Sequence, residues 1–231
     1  MEPKKLTQYD LNAMDKRSRL RLVNSVAGFK SVNLIGTCDT EGNDNLAVVS
    51  SVIHLGTAPP LIGFVVPPER GERHTLDNIL ATGRYTINAV TCDFFDKAHQ
   101  TSAPYLRSQS EFDCVGLTPA YQHDFPAPRV KESPLSLGIK LRERMTISAN
   151  YSELIVGEID QIWVSNDAIM PDGYIDLETL GIVTVSGQDS YHTTERLQRL
   201  SRAATDKQVY PLTIEGDPSS WQALGKFHEW T

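Results

Sequence analysis

The chain has 231 residues, 40% of them hydrophobic, with a formal net charge of −7. That length supplies one sizeable core, as a single domain or two small ones. The acidic balance, without any Lys/Arg-rich block, argues against a nucleic-acid or anionic-membrane surface. No apolar run reaches membrane-spanning length and the opening MEPKKLTQYD lacks a signal-peptide core, so a soluble chain of the cytoplasm is expected.

Residues 1–22 are polar and charged and read as helical in part, a lead-in to the main domain. From Val32, VNLIGTCDTEGNDNLAVVSSVIHL reads as strand, turn, strand, with Gly42 and Asn43 able to supply positive φ in the turn. TAPP breaks the chain, and LIGFVV has the composition of a third strand buried on both faces. PPERGERH is a loop. TLDNILATG is a short helix, with Thr75 as its cap, Leu76, Ile79 and Leu80 on one face, and Gly83 at its end. RYTINAV is a fourth strand, and CDFFDKAHQTSA reads as helical.

Residues 102–135 hold little periodicity and contain Pro104, Pro119, Pro126, Pro128 and Pro134, the pattern of an extended excursion with short strand pieces. LGIKLRERMTI and ELIVGEIDQIWVS read as adjacent antiparallel strands joined by SANYS. GIVTVSG is a further short strand, and TTERLQRLSRA reads as a short amphipathic helix with Leu197 and Leu200 inside. The tail over 205–231 carries Tyr210, Trp221, Phe227 and Trp230, aromatics expected to pack on the body or on a partner chain. Many strands with hairpin turns and few short helices predict a mostly β fold, an antiparallel barrel with peripheral helices. No GxGxxG or GxxxxGK[ST] phosphate loop is present.

Three features could carry chemistry. In ERGERHTLDNI, Arg70, Arg73 and His74 precede a helix whose first N–H groups point toward them, and Thr75 adds a hydroxyl. Cations there repel the helix dipole unless an anion lies between, which suits a phosphate. The alternative is a solvated loop, with Glu69 and Glu72 balancing the arginines. Ser50 and Ser51 follow an apolar strand, and adjacent strand residues face opposite sides. They are either hydroxyls bonded to backbone or a polar spot beside a ligand. Asn88, a buried amide in YTINAV, is either structural or ligand-facing. No nucleophile motif or triad is evident, and His54, His99, His123 and His192 are scattered. Glu158 and Asp160 on one strand face read as solvated carboxylates, while Cys38, Cys92 and Cys114 read as isolated thiols in or near the core without metal spacing.

The order of these pieces resembles the flavin reductase-like family, the FMN-binding split barrels. The resemblance rests on LIGTCDTEGNDNLAVVSSV, TAPPLIGFVV, RHTLDNI, RYTINAV, APRVKESPLSLGIKL and LIVGEIDQIWV, in that order, across about residues 20–204. It implies a six-stranded split barrel over 23–204 with peripheral helices, working as a homodimer with flavin near the subunit interface. By position it implies a strand along the flavin that carries Asn45, Ala47, Val49, Ser50 and Ser51. It further implies a phosphate held by Arg73, His74 and Thr75, support from Asn78, and Asn88 on the neighbouring strand. The family's late tyrosine corresponds to Tyr191 in VSGQDSYHTT, where the accompanying arginine and one glycine are absent. NYSELIVGEI also lacks the histidine that often precedes this strand in the family.

The implied activity is NAD(P)H:flavin oxidoreduction, with FMN, or FAD, as cofactor and NAD(P)H as co-substrate. A monooxygenase partner that receives reduced flavin stays an open reading. Two alternatives stand beside it: a flavin-binding electron carrier without its own reductase activity, and a β-barrel dimer that serves as an interaction module.

Overall fold

The structure is a computed structural model that describes residues 2–68 and 71–221. In chain order it comprises α1 (Gln8–Ala13), α2 (Lys16–Val26), β1 (Lys30–Ser31), β2 (Asn33–Cys38), β3 (Asp44–Val49), β4 (Ile53–Thr57) and β5 (Pro60–Val66). These are followed by α3 (His74–Thr82), β6 (Arg84–Ala89), α4 (Phe95–Gln100), α5 (Glu111–Val115), β7 (Pro119–Gln122) and β8 (Phe125–Val130). The long strands β9 (Leu135–Ile147) and β10 (Ser152–Val164) come next, then β11 (Thr184–Ser186), β12 (Ser190–His192), β13 (Arg199–Leu200) and β14 (Pro211–Leu212).

The main sheet has seven antiparallel strands in the order β3-β2-β6-β9-β10-β5-β4, one more than the six expected. The difference arises at the serines. The segment AVVSSVIHL is two strands, because β3 ends at Val49 and β4 begins at Ile53. These are the two edges of the sheet, so residues 50–52 carry the chain from one edge to the other and close the barrel. Ser51 secures the closure. Its Oγ donates to the Val65 carbonyl at 3.1 Å and accepts from the Val65 N–H at 3.0 Å, standing in for a main-chain partner of β5. The β2–β3 turn is held by Asp39, whose carboxylate accepts from the backbone N–H groups of Glu41 and Asn43, both at 2.9 Å. Gly42 supplies φ +90° there.

Alternation on β2 divides two apolar cores. Ile35 points into the barrel with Phe64, Tyr85, Ile87, Ile139 and Ile155, where Leu76 and Ile79 of α3 join them. Leu34 points outward to Leu46, Val90, Phe94, Phe112, Val130 and Val185, a second core that α4, α5 and β11 cover. Gly36 on β2 is required by close packing: a Cβ there would run into the Pro128 carbonyl of β8. The outer edge of β3 is blunted by side chains rather than left open. The Leu46 N–H donates to Glu111 Oε2 at 2.9 Å, and the Val48 N–H donates to Thr101 Oγ1 at 3.0 Å.

Several expectations are corrected. Thr75 does not cap α3: Arg73 occupies the N-cap position without a side-chain cap bond, while Gly83 ends the helix at φ +67° as expected. The excursion after residue 102 contains α5, which its prolines and weak periodicity concealed. Residues 193–203 do not form a helix. Arg196 pairs with Asp176 at 3.0 Å, Arg199 lies 4.3 Å from the Tyr174 ring, and β13 pairs with β14, so tertiary ties overrule the local periodicity. Leu197 and Leu200 are exposed rather than inside. Cys38 is buried, but Cys92 and Cys114 are exposed. Tyr210 and Trp221 are exposed on this chain, and Phe227 and Trp230 lie outside the described residues. No helix among the described residues is long and apolar enough to cross a membrane.

Candidate functional site

A cleft of about 500 Å³ opens at the start of α3, between Asn45 of β3, the end of β5, residues 71–76 and a rim formed by residues 102–106 and Glu111. Its volume is in the range of small-molecule sites, about 300–1,000 Å³. Arg73 is its most informative residue. The guanidinium Nε and Nη2 are buried and have no hydrogen-bond partner. A buried donor left unpaired costs about 1–3 kcal/mol, more when charged. The first N–H groups of α3 are likewise free of intrahelical partners and carry the positive end of the helix dipole.

Thr75 extends the donor set. Its Oγ1 accepts from Asn45 Nδ2 at 2.8 Å, so the hydroxyl proton stays available to a ligand. His74 Nε2 sits 2.6 Å from Glu72 Oε2, which orients the ring at the rim. Asn78 is buried one turn on and does not reach the cleft. It donates to Thr37 Oγ1 at 3.2 Å and accepts from Arg107 Nη2 at 3.1 Å, tying α3 to β2 and to the rim. Arg70 lies outside the described residues.

A second cleft, about 440 Å³, lies at the other end of β3 and is lined by Val48, Val49, Ser50, His99, Gln188, Asp189 and Tyr191, among others. Ser102 lines both clefts, so they are neighbours. The Tyr191 hydroxyl is 3.0 Å from His99 Nδ1, and its ring lies 5.2 Å from that of Phe95. Burial, with Asp189 nearby, raises the Tyr191 phenol above its ordinary pKa.

The sequence-derived candidates therefore divide. Asn45, Arg73, His74 and Thr75 meet at the first cleft; Val49, Ser50 and Tyr191 meet at the second. Ala47 lies between them on β3 and lines neither. The expectation that Ser50 and Ser51 face opposite sides of one strand is corrected, since both lie in the link beyond β3, and the Ser51 hydroxyl is committed to Val65. Asn88 is corrected to a structural part. Its Nδ2 donates to the Leu34 carbonyl at 3.0 Å and to Thr86 Oγ1 at 2.8 Å, its Oδ1 accepts from the Val130 N–H at 2.9 Å, and it lines neither cleft.

Sequence reasoning missed the rim. Ser102, Tyr105 and Glu111 come from the stretch read as an irregular excursion, and only Pro104 within SAPYLR hinted at a shaped loop. Glu111 is buried, and burial raises its carboxyl above the usual value against the opposing effect of the Leu46 N–H. His99, isolated in the sequence, lines the second cleft. No cluster of metal-ligating side chains occurs among the described residues. Two buried guanidinium nitrogens without hydrogen-bond partners, a helix N-terminus and a free hydroxyl proton are a donor set that fits a phosphate monoester.

The comparisons agree with this architecture. A crystal structure from Shewanella frigidimarina NCIMB 400, designated a flavin reductase with a split barrel domain, is 47% identical, superposes with a TM-score of 0.84, and is matched over 87% of this chain and 100% of that one. Nitrilotriacetate monooxygenase component B from Bacillus cereus shares the fold at 20% identity and a TM-score of 0.74, over 85% of this chain and 98% of that one. An uncharacterised protein of Deinococcus radiodurans is 26% identical over 226 residues, 92% of this chain and 98% of its own. The family model described as the flavin reductase like domain matches residues 26–178. The chain belongs to the flavin reductase-like domain family.

Proposed function

We propose that the chain binds FMN and acts as an NAD(P)H-dependent flavin oxidoreductase. The observation that carries this reading is the half-buried Arg73 at the mouth of α3, whose guanidinium Nε and Nη2 are buried without a hydrogen-bond partner. Arg73, the first N–H groups of α3 and the Thr75 hydroxyl would hold the phosphate. Asn45 fixes Thr75 in place through its 2.8 Å bond. The chemistry that a bound flavin supplies is hydride transfer with a nicotinamide, which no side chain here can perform.

The protein's own part is to bind, orient and exclude water. Ala47 on β3 and Ser50 just beyond it are small enough to leave room, and Ser50 would offer a hydroxyl proton to negative charge on a bound flavin. His99 Nδ1 holds the Tyr191 hydroxyl at the second cleft, and the Phe95 ring packs against that of Tyr191. The exposed apolar residues Ile53, Leu55, Met145, Ile147 and Ile162 on β4, β9 and β10 support pairing of two copies.

Titration of the flavin-free protein with FMN and FAD, followed by anaerobic NADH and NADPH, tests the reading. Flavin that binds but is not bleached by either nucleotide points instead to an electron carrier. No flavin binding at all, with Arg73→Ala/Thr75→Ala indistinguishable from the parent, returns the chain to an interaction module.

A further inference from the structure

A third cleft, about 380 Å³, lies between α2 and the β11–β12 turn, lined by Arg17, Leu20, Arg21, Ser25 and residues 187–189. Its walls lie outside the family-matched region, which spans residues 26–178. Arg17 and Arg21 stand one helical turn apart on α2 and so share a face. Among the described residues, neither guanidinium takes part in an ion pair or a side-chain hydrogen bond.

The cleft is built rather than incidental. Lys30 Nζ donates to the Gly187 carbonyl at 2.8 Å and reaches the Asn24 carbonyl at 3.5 Å, tying the turn to α2. A Cβ on Gly187 would come within 3.3 Å of Ser25 Oγ, so glycine permits the close approach of the two walls. Gln188 and Asp189 line this cleft and also the one holding Ser50, His99 and Tyr191. Two free guanidiniums therefore stand next to the cleft where a nicotinamide would meet a flavin, on a chain whose net charge of −7 would otherwise repel a polyanion.

We propose that this cleft is a phosphate subsite for the dinucleotide co-substrate, with Arg17 and Arg21 clasping a phosphoryl group and Asp189 accepting from a ribose hydroxyl. The inference rests on the flavin–nicotinamide reading above. Arginine suits a phosphate through its planar fork of donors. A carboxylate beside it suits a ribose, as in other dinucleotide sites. The phosphoryl group is either the 2′-phosphate of NADPH or the pyrophosphate common to NADH and NADPH.

The test is direct binding of NADPH, NADH and reduced nicotinamide riboside, which carries no phosphate, to the full-length protein and to Arg17→Ala/Arg21→Ala. Nicotinamide fluorescence reports the nucleotide, and the visible spectrum of the same samples reports flavin. The double variant is expected to weaken NADPH binding about tenfold or more, while flavin stays bound. Loss for NADPH alone assigns the 2′-phosphate; loss for NADPH and NADH with the phosphate-free riboside unchanged assigns the pyrophosphate. Unchanged binding of both dinucleotides overturns the subsite, as does equal weakening of all three ligands or a parent protein that binds none. Absence of flavin from the parent under saturating FMN strikes the reading beneath it, a result the spectrum shows separately.

Discussion

Asn45 Nδ2 on β3 donates to Thr75 Oγ1 on the first turn of α3 at 2.8 Å, across thirty residues of sequence. This one bond couples the strand that runs between the two clefts to the helix start that offers the anion donors. It also leaves the Thr75 hydroxyl proton uncommitted to Asn45, since the oxygen is the acceptor. The site is thus assembled from segments that are polar for reasons their own elements do not require.

Arg73 separates binding from stability. Its buried Nε and Nη2 lack hydrogen-bond partners while its charge favours the nearby Glu153 carboxylate, so Arg73→Met is expected to leave the flavin-free protein close to the parent in thermal unfolding. The same change is expected to weaken FMN binding about tenfold or more, because charge-assisted bonds contribute about 1.5–3 kcal/mol. A flavin titration followed by fluorescence checks the second part.

The adjacent serines are expected to behave differently. Ser51→Ala removes both bonds to Val65 and is expected to cost about 1–3 kcal/mol in urea unfolding. Ser50→Ala is expected to stay within about 0.5 kcal/mol of the parent, and to act instead on flavin reduction, read by stopped-flow absorbance.

Asn88→Ala leaves the Val130 N–H and the Leu34 carbonyl without their side-chain partner in the core. A loss of about 2 kcal/mol or more is expected from these broken buried bonds. FMN affinity measured on the folded fraction is expected to be unchanged.

Glu111 gives a pH signature. Burial raises its carboxyl pKa above the ordinary 4.5, so the folded state holds the proton more tightly than the unfolded state. Its contribution is therefore fully present below pH 4.5 and is lost as pH rises through the folded value. Glu111→Gln keeps an acceptor for the Leu46 N–H and does not ionise. The variant is expected to gain stability over the parent at neutral pH, with the difference shrinking as pH falls toward 4.5. Urea unfolding of both proteins across that range checks the sign.

The barrel was legible because its strands alternate or run apolar and its turns carry Gly42, Gly83 and the TAPP break. The grouping of Arg73, His74 and Thr75 at one cleft was legible because the three are contiguous and precede a periodic helix. Ser51 was not, because its role depends on the two sheet edges meeting, a fact of topology rather than of local pattern. Glu111 and Ser102 escaped notice because a buried carboxylate that caps an edge strand looks, in sequence, like any surface acid. The 193–203 stretch misled in the opposite direction: its leucine spacing is helical, but Arg196 and Arg199 are held by Asp176, Asp172 and Tyr174.

The central claim is that the α3 cleft holds the phosphate end of a flavin that nicotinamide reduces. Its most direct test is the visible spectrum of the purified protein reconstituted with FMN, before and after anaerobic addition of NADH or NADPH. The account expects bound flavin in the parent, bleached by at least one nucleotide, and markedly reduced flavin retention in Arg73→Ala/Thr75→Ala. A protein that stays colourless after reconstitution, with thermal stability indifferent to FMN and FAD, would contradict it.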